Sequence, residues 1–547
     1  MMTRMEHLVA ARRGLLLGVL AVFLLLPSAV WIAQDRQAWP WDPAWYGEVS
    51  VELYYHLVHD SAWWPRLMGS AFGQKPPGIA WFGQAFVPLG QALGSVDDGL
   101  LASILVTQAL TLVLVGRAIL ALTRSAGIAA AVVVGVAAGP LFIGLSHQYF
   151  AEPLQALSVA WFVLVAARAP HWGRARILSH LLAATVLAML AKASSPLYCL
   201  GPGLVGLAYA WRPGAGAERA SWREPTVAMP LAAGLVAGLA TTGWYVMNWG
   251  HVTGHVALSS SGPIAEMFGW YDTLWGSYAY WLRAAQKALF LPEVLAVLGI
   301  LLLGAVALRI VRRRRGGEGW DHPTLLAIVA VLQILGALAV FATSPNRENR
   351  FLLPLVPHVG VLLAWALLQV RLRPVTLLCV ALFLYQGGVT YGQALGVLPR
   401  SAQATPWLIP AHRDDADDAM MNAIISRTCS TEADVWRNNV VGVDLAWLNH
   451  NTLTYYAAKR RLGEGVTCGY RPLGFAEADP ERAWTDLLAL NPRYLITAAP
   501  SHFPDPEDPF NRVSGAILER AREAEFAGPE EIAGSAGRVH LYVRREE

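Results

Sequence analysis

Between positions 42 and 75 the chain carries Asp42, Glu48, Arg66 and Lys75, and Lys75 is followed directly by Pro76 and Pro77. A carboxylate can take a proton from a hydroxyl. Lysine binds phosphate as a compact point charge. Two prolines after it restrict the backbone, so its ammonium is held in one direction. Arg66, nine residues upstream, can share an anion with it. Together these residue types suit base-assisted chemistry beside a bound phosphate. Structural readings stay open for each. Asp42 before Pro43 makes a good helix N-cap, a role that keeps the carboxylate ionised but weakens it as a base. Lys75 can snorkel to lipid headgroups, and Glu48 can sit with Glu52 on a solvated helix face.

These residues sit in a very apolar chain. Of its 547 residues 55% are hydrophobic and 15% charged, and the mean hydropathy is +0.39. That excludes an ordinary soluble protein. Apolar runs of about 20 residues, the length that crosses a bilayer, predict about eleven spans. They lie near 14–33, 99–122, 126–146, 153–168, 177–194, 196–211, 227–247, 287–310, 323–343, 351–370 and 374–395. The first, after Arg12 and Arg13, reads as a retained anchor rather than a cleaved signal. With a cytoplasmic N-terminus, 18 basic residues fall in inside loops, Arg219, Arg223 and the Arg309–Arg315 run among them, and six fall outside. That is the asymmetry of the positive-inside rule. It makes the basic balance of residues 1–395 a membrane signature and not a nucleic-acid one. Residues 76–94 hold Pro88, four glycines and two glutamines. Crossing the membrane there would reverse every later loop, so the segment is expected to be re-entrant or interfacial.

Residues 34–98 then form a large first outer loop. Tyr46, Val49, Leu53 and Leu57 fall on one helical face, predicting an amphipathic helix over 43–58 in the membrane interface, where Trp39, Trp41, Trp45, Trp63 and Trp64 also belong. His56 and His59 read as interfacial polar residues. Eleven spans place residues 396–547 outside. This tail holds 16 basic against 22 acidic residues, and strand-like and helix-like stretches alternate along it, predicting a small α/β domain. Cys429 and Cys468 lie in the tail and can pair in an oxidising compartment; Cys199 and Cys379 lie in apolar runs. No P-loop, HExxH or GxSxG occurs, which argues against a nucleotide-driven pump.

The loop sequence WDPAWYGEVSVELYYHLVHDSAWWPRLMGSAFGQKPPGIAWF resembles the first outer loop of membrane glycosyltransferases with the C-type superfold, the lipid A aminoarabinose transferase and protein O-mannosyltransferase-like enzymes. Asp42, Tyr46, Glu48, Trp64, Pro65, Arg66, Leu67, Lys75, Pro76 and Pro77 carry the match. HQYFAEPLQAL resembles the family's second acidic site, with Glu152 where an aspartate is common. LAMLAKASSP and NRENRFLLPLVP resemble two later stretches, adding Lys192, Arg347 and Arg350.

The resemblance implies inverting transfer of a hexose or pentose from a polyprenyl-phosphate donor to a hydroxyl of a lipid, glycan or protein, in a bacterial inner membrane with the tail periplasmic. Asp42 would be the base. Lys75, Arg66, Lys192, Arg347 and Arg350 would neutralise the donor phosphate, with Glu152 and Glu48 as a second acidic site. Gln74 replaces a glutamate that resembles a metal-ligand position, so a divalent cation held by Gln74 or Glu152 stays an open cofactor. A lipid or saccharide transporter is the alternative, but its ionisable residues belong near mid-membrane and between repeats. Here the charges gather at one face.

Overall fold

In the computed structural model the described residues are 2–212, 224–270, 272–315, 321–399, 416–432, 436–474, 476–505 and 507–545. Arg219 and Arg223, and residues 400–415 at the start of the tail, lie outside them. By its contacts the chain forms two compact units. One comprises Met1–Ile32, Gly69–Ile79 and Leu101–Ala411; the other comprises Ala33–Met68, Ala80–Leu100 and His412–Glu547. The two parts of the 34–98 loop that flank Lys75 therefore group with the tail.

Among the described residues nine helices are long and apolar enough to cross a membrane, and ten if one bent pair counts as a single span. The bent pair is Ala126–Ala137 with Pro140–His147, at 61°. The span expected over 126–146 is bent there, because Pro140 starts a new helix after Gly139. At the break Gln386 Nε2 donates to the Ala138 carbonyl at 3.1 Å, satisfying a freed backbone group as a bilayer demands, and polar groups also meet at the far end of the pair. Ser28 Oγ lies 2.6 Å from Ser146 Oγ, 2.9 Å from the Tyr391 hydroxyl and 3.1 Å from His147 Nε2. The eleventh expected span, Pro196–Ala210, is apolar but only 15 residues long. Residues 78–93 break into three short helices, Gly78–Gly83, Gln84–Phe86 and Val87–Leu93, as the proline and glycines there require.

The other unit contains a five-stranded sheet in the order β2-β1-β3-β5-β4, with β1 Arg437–Val441, β2 Cys468–Pro472, β3 Tyr494–Ala498, β4 Phe526–Ala533 and β5 Arg538–Arg544. β1 runs parallel to β2 and β3, and β5 runs antiparallel to β3 and β4. One core holds Met420, Ile424, Leu453, Tyr456 and Ile496 with Ala38 of the loop. A second holds Leu487, Leu495, Ile517 and Tyr542. Helices thus cover both faces of the sheet. Cys429 and Cys468 are disulfide-bonded. β1, β3 and β5 fall where strand-like sequence is found. β2 and β4 are found only in the structure, because an exposed edge such as β4 buries little and shows no apolar alternation.

Within the same unit helix Trp41–His59 packs against helix His450–Glu464. Its buried residues are Pro43, Ala44, Tyr46, Gly47, Ser50, Val51 and Leu53, while Leu57 is exposed. This corrects the expected Tyr46/Val49/Leu53/Leu57 face. A Cβ on Gly47 would meet the Tyr455 ring at 2.7 Å, so the small residues face the partner helix. Trp39 is buried and stacks on Tyr455, 5.0 Å between centroids, rather than standing free as an interfacial anchor.

Candidate active site

The helical unit gathers three of the expected site residues. Glu152, 1% exposed, opens the span that begins beside Pro153. Lys192 ends helix Arg174–Ala191 in extended conformation and its Nζ lies 2.5 Å from Glu152 Oε1. Arg350 Nε lies 3.4 Å from the same oxygen and 3.6 Å from Glu348 Oε2. Rings complete the lining: Lys192 sits 4.3 Å from the Phe351 centroid, and Arg350 4.4 Å from that of Phe150, distances at which a cation is attracted to an aromatic face.

Backbone and hydroxyl contacts explain why Lys192 points there. Ser195 Oγ donates to the carbonyls of Ala188 and Lys192, at 2.6 and 2.7 Å. Gln155 Nε2 donates to the hydroxyls of Ser194 and Ser195. The AKASSP stretch is therefore a turn fastened to the Glu152 helix. On Arg350's side, the Tyr198 hydroxyl donates to the Phe351 carbonyl at 2.8 Å, and His358 Nε2 to the Tyr198 carbonyl at 2.9 Å.

Lys75 is mounted on a turn of this unit. Gly73 has φ +66°, the left-handed region that glycine adopts freely. Trp244 Nε1 donates to the Ala71 carbonyl at 3.0 Å, and Asn248 Nδ2 to that of Gly69 at 2.9 Å. A Cβ on Gly78 would lie 2.5 Å from the Leu190 carbonyl oxygen, so only glycine lets the PPG segment press on the helix that ends at Lys192. Burial, with the positive charges of Arg350 and Lys75, holds the Lys192 ammonium below the usual lysine range against the opposing pull of Glu152. Lys75, Lys192 and Arg350 thus share one electrostatic neighbourhood with Glu152 and Glu348. Cations gathered at the ends of apolar helices suit an anion, since unbalanced charge there is costly.

Arg347 stands apart. It is 6% exposed, donates to the Trp270 carbonyl at 3.0 Å and to Ser277 Oγ at 3.0 Å, and stacks on Trp270 and Tyr280. It pins the 268–280 segment, where a Cβ on Gly269 would meet the Pro345 carbonyl. Glu348, beside Arg350, went unremarked in the sequence. Its only signal was a position inside the arginine-rich NRENRF.

Asp42, Glu48 and Arg66 belong to the other unit. Helix Trp41–His59 starts one residue before Asp42, with Pro40 as its N-cap. Asp42 is therefore in the first turn and not the capping residue, though the helix dipole still favours its charge. Glu48 has its carboxyl pushed up to about 8 by burial and by Glu52, against the pull of Arg471. Glu52 in turn is paired with Arg461 at 3.0 Å. Arg66 is exposed and stacks on Trp63, 4.5 Å from the ring centroid.

The donor set does not fit a divalent cation. Among the described residues no group of three or more His, Cys, Asp or Glu side chains could hold a metal ion. Gln74 offers an amide instead of a carboxylate, and Glu152 faces two cations.

No family model matches the chain, and no curated protein does. Solved structures do. The crystal structure of ArnT from Cupriavidus metallidurans bound to undecaprenyl phosphate is 15% identical, with a TM-score of 0.57 over 96% of this chain and 97% of that one. Its apo form is 16% identical, with a TM-score of 0.58 over the same shares. The chain accordingly has the ArnT fold from end to end, helical membrane unit and sheet-containing tail alike.

Proposed function

We propose that the protein transfers a hexose or pentose from a polyprenyl phosphate to an acceptor hydroxyl, at the outer face of a bacterial inner membrane. The carrying observation is the neighbourhood of Lys75, Lys192 and Arg350 at apolar helix ends. A lipid phosphate has the charge and the depth to occupy it, and a relative in fold binds undecaprenyl phosphate. In the reaction the acceptor oxygen bonds to the anomeric carbon while its proton passes to Asp42. The bond from that carbon to the phosphate oxygen breaks from the opposite face, inverting the configuration. The polyprenyl phosphate leaves with the electron pair, its charge neutralised by Lys75, Lys192 and Arg350. Asp42 holds the base role on the strength of the motif it opens. Arg347 is assigned to positioning Arg350's neighbourhood rather than to the phosphate, because its guanidinium already serves Trp270 and Ser277.

The tail lies outside the cell membrane in this reading, and a glycan, lipid or protein acceptor approaches from that side. The loop charges support it, as does the Cys429–Cys468 disulfide, a feature of oxidising compartments. Asp42→Asn should lower release of polyprenyl phosphate from a polyprenyl-phosphate sugar by about 10²–10⁴-fold, with the protein still folded. Wild-type turnover in that variant would remove Asp42 from the chemistry.

A further inference from the structure

Trp41, the residue before Asp42, has φ +33°. A bulky residue with positive φ is an outlier that persists only where its surroundings over-determine it. The surroundings lie in the same unit. Trp41 Nε1 donates to Asp444 Oδ1 at 2.6 Å. Asp444 sits in the loop between β1 and helix His450–Glu464. It is rigidly mounted: its N–H donates to Asn511 Oδ1 at 2.7 Å, and Asn511 Nδ2 donates back to its carbonyl at 3.0 Å and on to Asp508 Oδ2 at 2.8 Å. Asn511 is 2% exposed.

The residues before Trp41 are tied down by the same domain. Ala38 is part of the tail's core. The Trp39 carbonyl accepts from Thr452 Oγ1 at 2.7 Å, and its ring stacks on Tyr455. Residues 38–41 therefore form a strap built into the tail, and Asp42 is the next residue along it.

We propose that Asp444 is a positioning residue for Asp42: by holding the Trp41 indole it keeps the strained entry to helix Trp41–His59, and so aims the carboxylate. This rests on Asp42 being the base. Burial, with the neighbouring Asp508, raises Asp444's pKa against the opposing Trp41 hydrogen bond. Errors of about 1 Å at a reacting group can cost about 10²-fold in rate, so such a strap matters to chemistry without touching substrate.

The test compares Asp444→Leu, Asp444→Asn, Trp41→Phe and the Leu/Phe double variant of the full chain in lipid nanodiscs. Hydrogen–deuterium exchange of residues 41–46 reads the strap directly. A hydrogen bond to a charged group is lost in Asp444→Leu and in Trp41→Phe, so exchange there should rise about tenfold or more in each. Asparagine still accepts through its amide oxygen, and Asp444→Asn should stay within about threefold. The double variant should be no worse than the worse single one. Exchange across residues 450–464 should not change.

Turnover is read with a panel of polyprenyl-phosphate hexoses and pentoses. The loosened variants should lose about 10–100-fold in kcat, with KM for the donor within about threefold. Unchanged exchange at 41–46, equal loosening in Asp444→Asn, additive losses, or loosening spread through 450–464 would each overturn the inference, as would full turnover in Asp444→Leu. Full turnover in Asp42→Asn would instead remove the catalytic reading, and the exchange data would still decide the strap.

Discussion

The two regions that carry the proposed chemistry are built in opposite ways. In the helical unit, Glu152, Lys192 and Arg350 meet as ion pairs at the ends of apolar helices. Glu152 opens one helix, Lys192 follows the end of another, and Arg350 lies in the first turn of a third. In the other unit, the strap that leads to Asp42 is held by a stacked Trp39, a hydroxyl donated from Thr452 and an indole held by the Asp444 carboxylate. The contrast follows from what each group must do. Cations that receive a phosphate need compensating charge while the site is empty, because a buried charge without a partner is costly. A carboxylate that takes a proton must be aimed, and the contacts of residues 38–41 supply that aim through backbone, ring and indole.

Four substitutions test this contrast. The largest effect belongs to Glu152→Gln. It keeps the shape but removes the carboxylate that Lys192 and Arg350 share, leaving Glu348 beside Arg350 alone, and should cost about 3–5 kcal/mol of stability. Added polyprenyl phosphate should restore part of that loss, since ligand binding favours the folded state. Thermal unfolding of purified protein with and without the lipid measures both. No recovery with lipid would mean that the cluster is structural only.

Next is the tail, whose rigidity underlies the strap. Replacing Cys429 and Cys468 together by serine opens a link across a sequence separation of 39 and should cost about 4 kcal/mol on the chain-entropy model. Denaturant unfolding followed at the tail checks it; an unaltered midpoint would mean that the sheet cores suffice alone.

Lys75→Ala should weaken polyprenyl phosphate binding by about tenfold, the worth of one charge-assisted hydrogen bond. Equal affinity would return Lys75 to a headgroup role.

The smallest effect concerns Glu48. Its folded-state pKa, about 8, lies above the ordinary carboxyl value. The folded protein therefore binds this proton more tightly than the unfolded chain. The associated stability is fully present below about pH 4.5 and is lost as pH rises towards 8. Glu48→Gln should flatten the fall in stability across that window. A parallel pH profile in wild type and variant would show that Glu48 is solvated.

Much of the fold was legible because burial is written locally. The apolar runs marked the helices, and the proline–glycine content of 76–94 marked a broken segment. The lysine after a helix and the acid before one marked Lys192 and Glu152 as ends. What stayed illegible depended on partners far away in sequence. Val49 and Leu57 were expected to share an apolar face with Tyr46 and Leu53 in the membrane interface, because only hydrophobicity is visible in the sequence. The helix instead turned Ala44, Gly47 and Val51 towards His450–Glu464, since close approach selects small residues. Arg347 and Arg350, three positions apart in one motif, have different partners. Glu348 between them was passed over because a single acid among arginines has no pattern of its own.

A helical membrane protein with a polar tail, and the residue types at hand for phosphate and proton, can be read from the chain alone, because hydropathy and residue chemistry are local properties. Folding in three dimensions sets which cations share Glu152, ties Arg347 to Trp270, and brings Trp41 to Asp444 across 403 positions. Such pairings follow from which chain segments converge, and no local pattern encodes convergence.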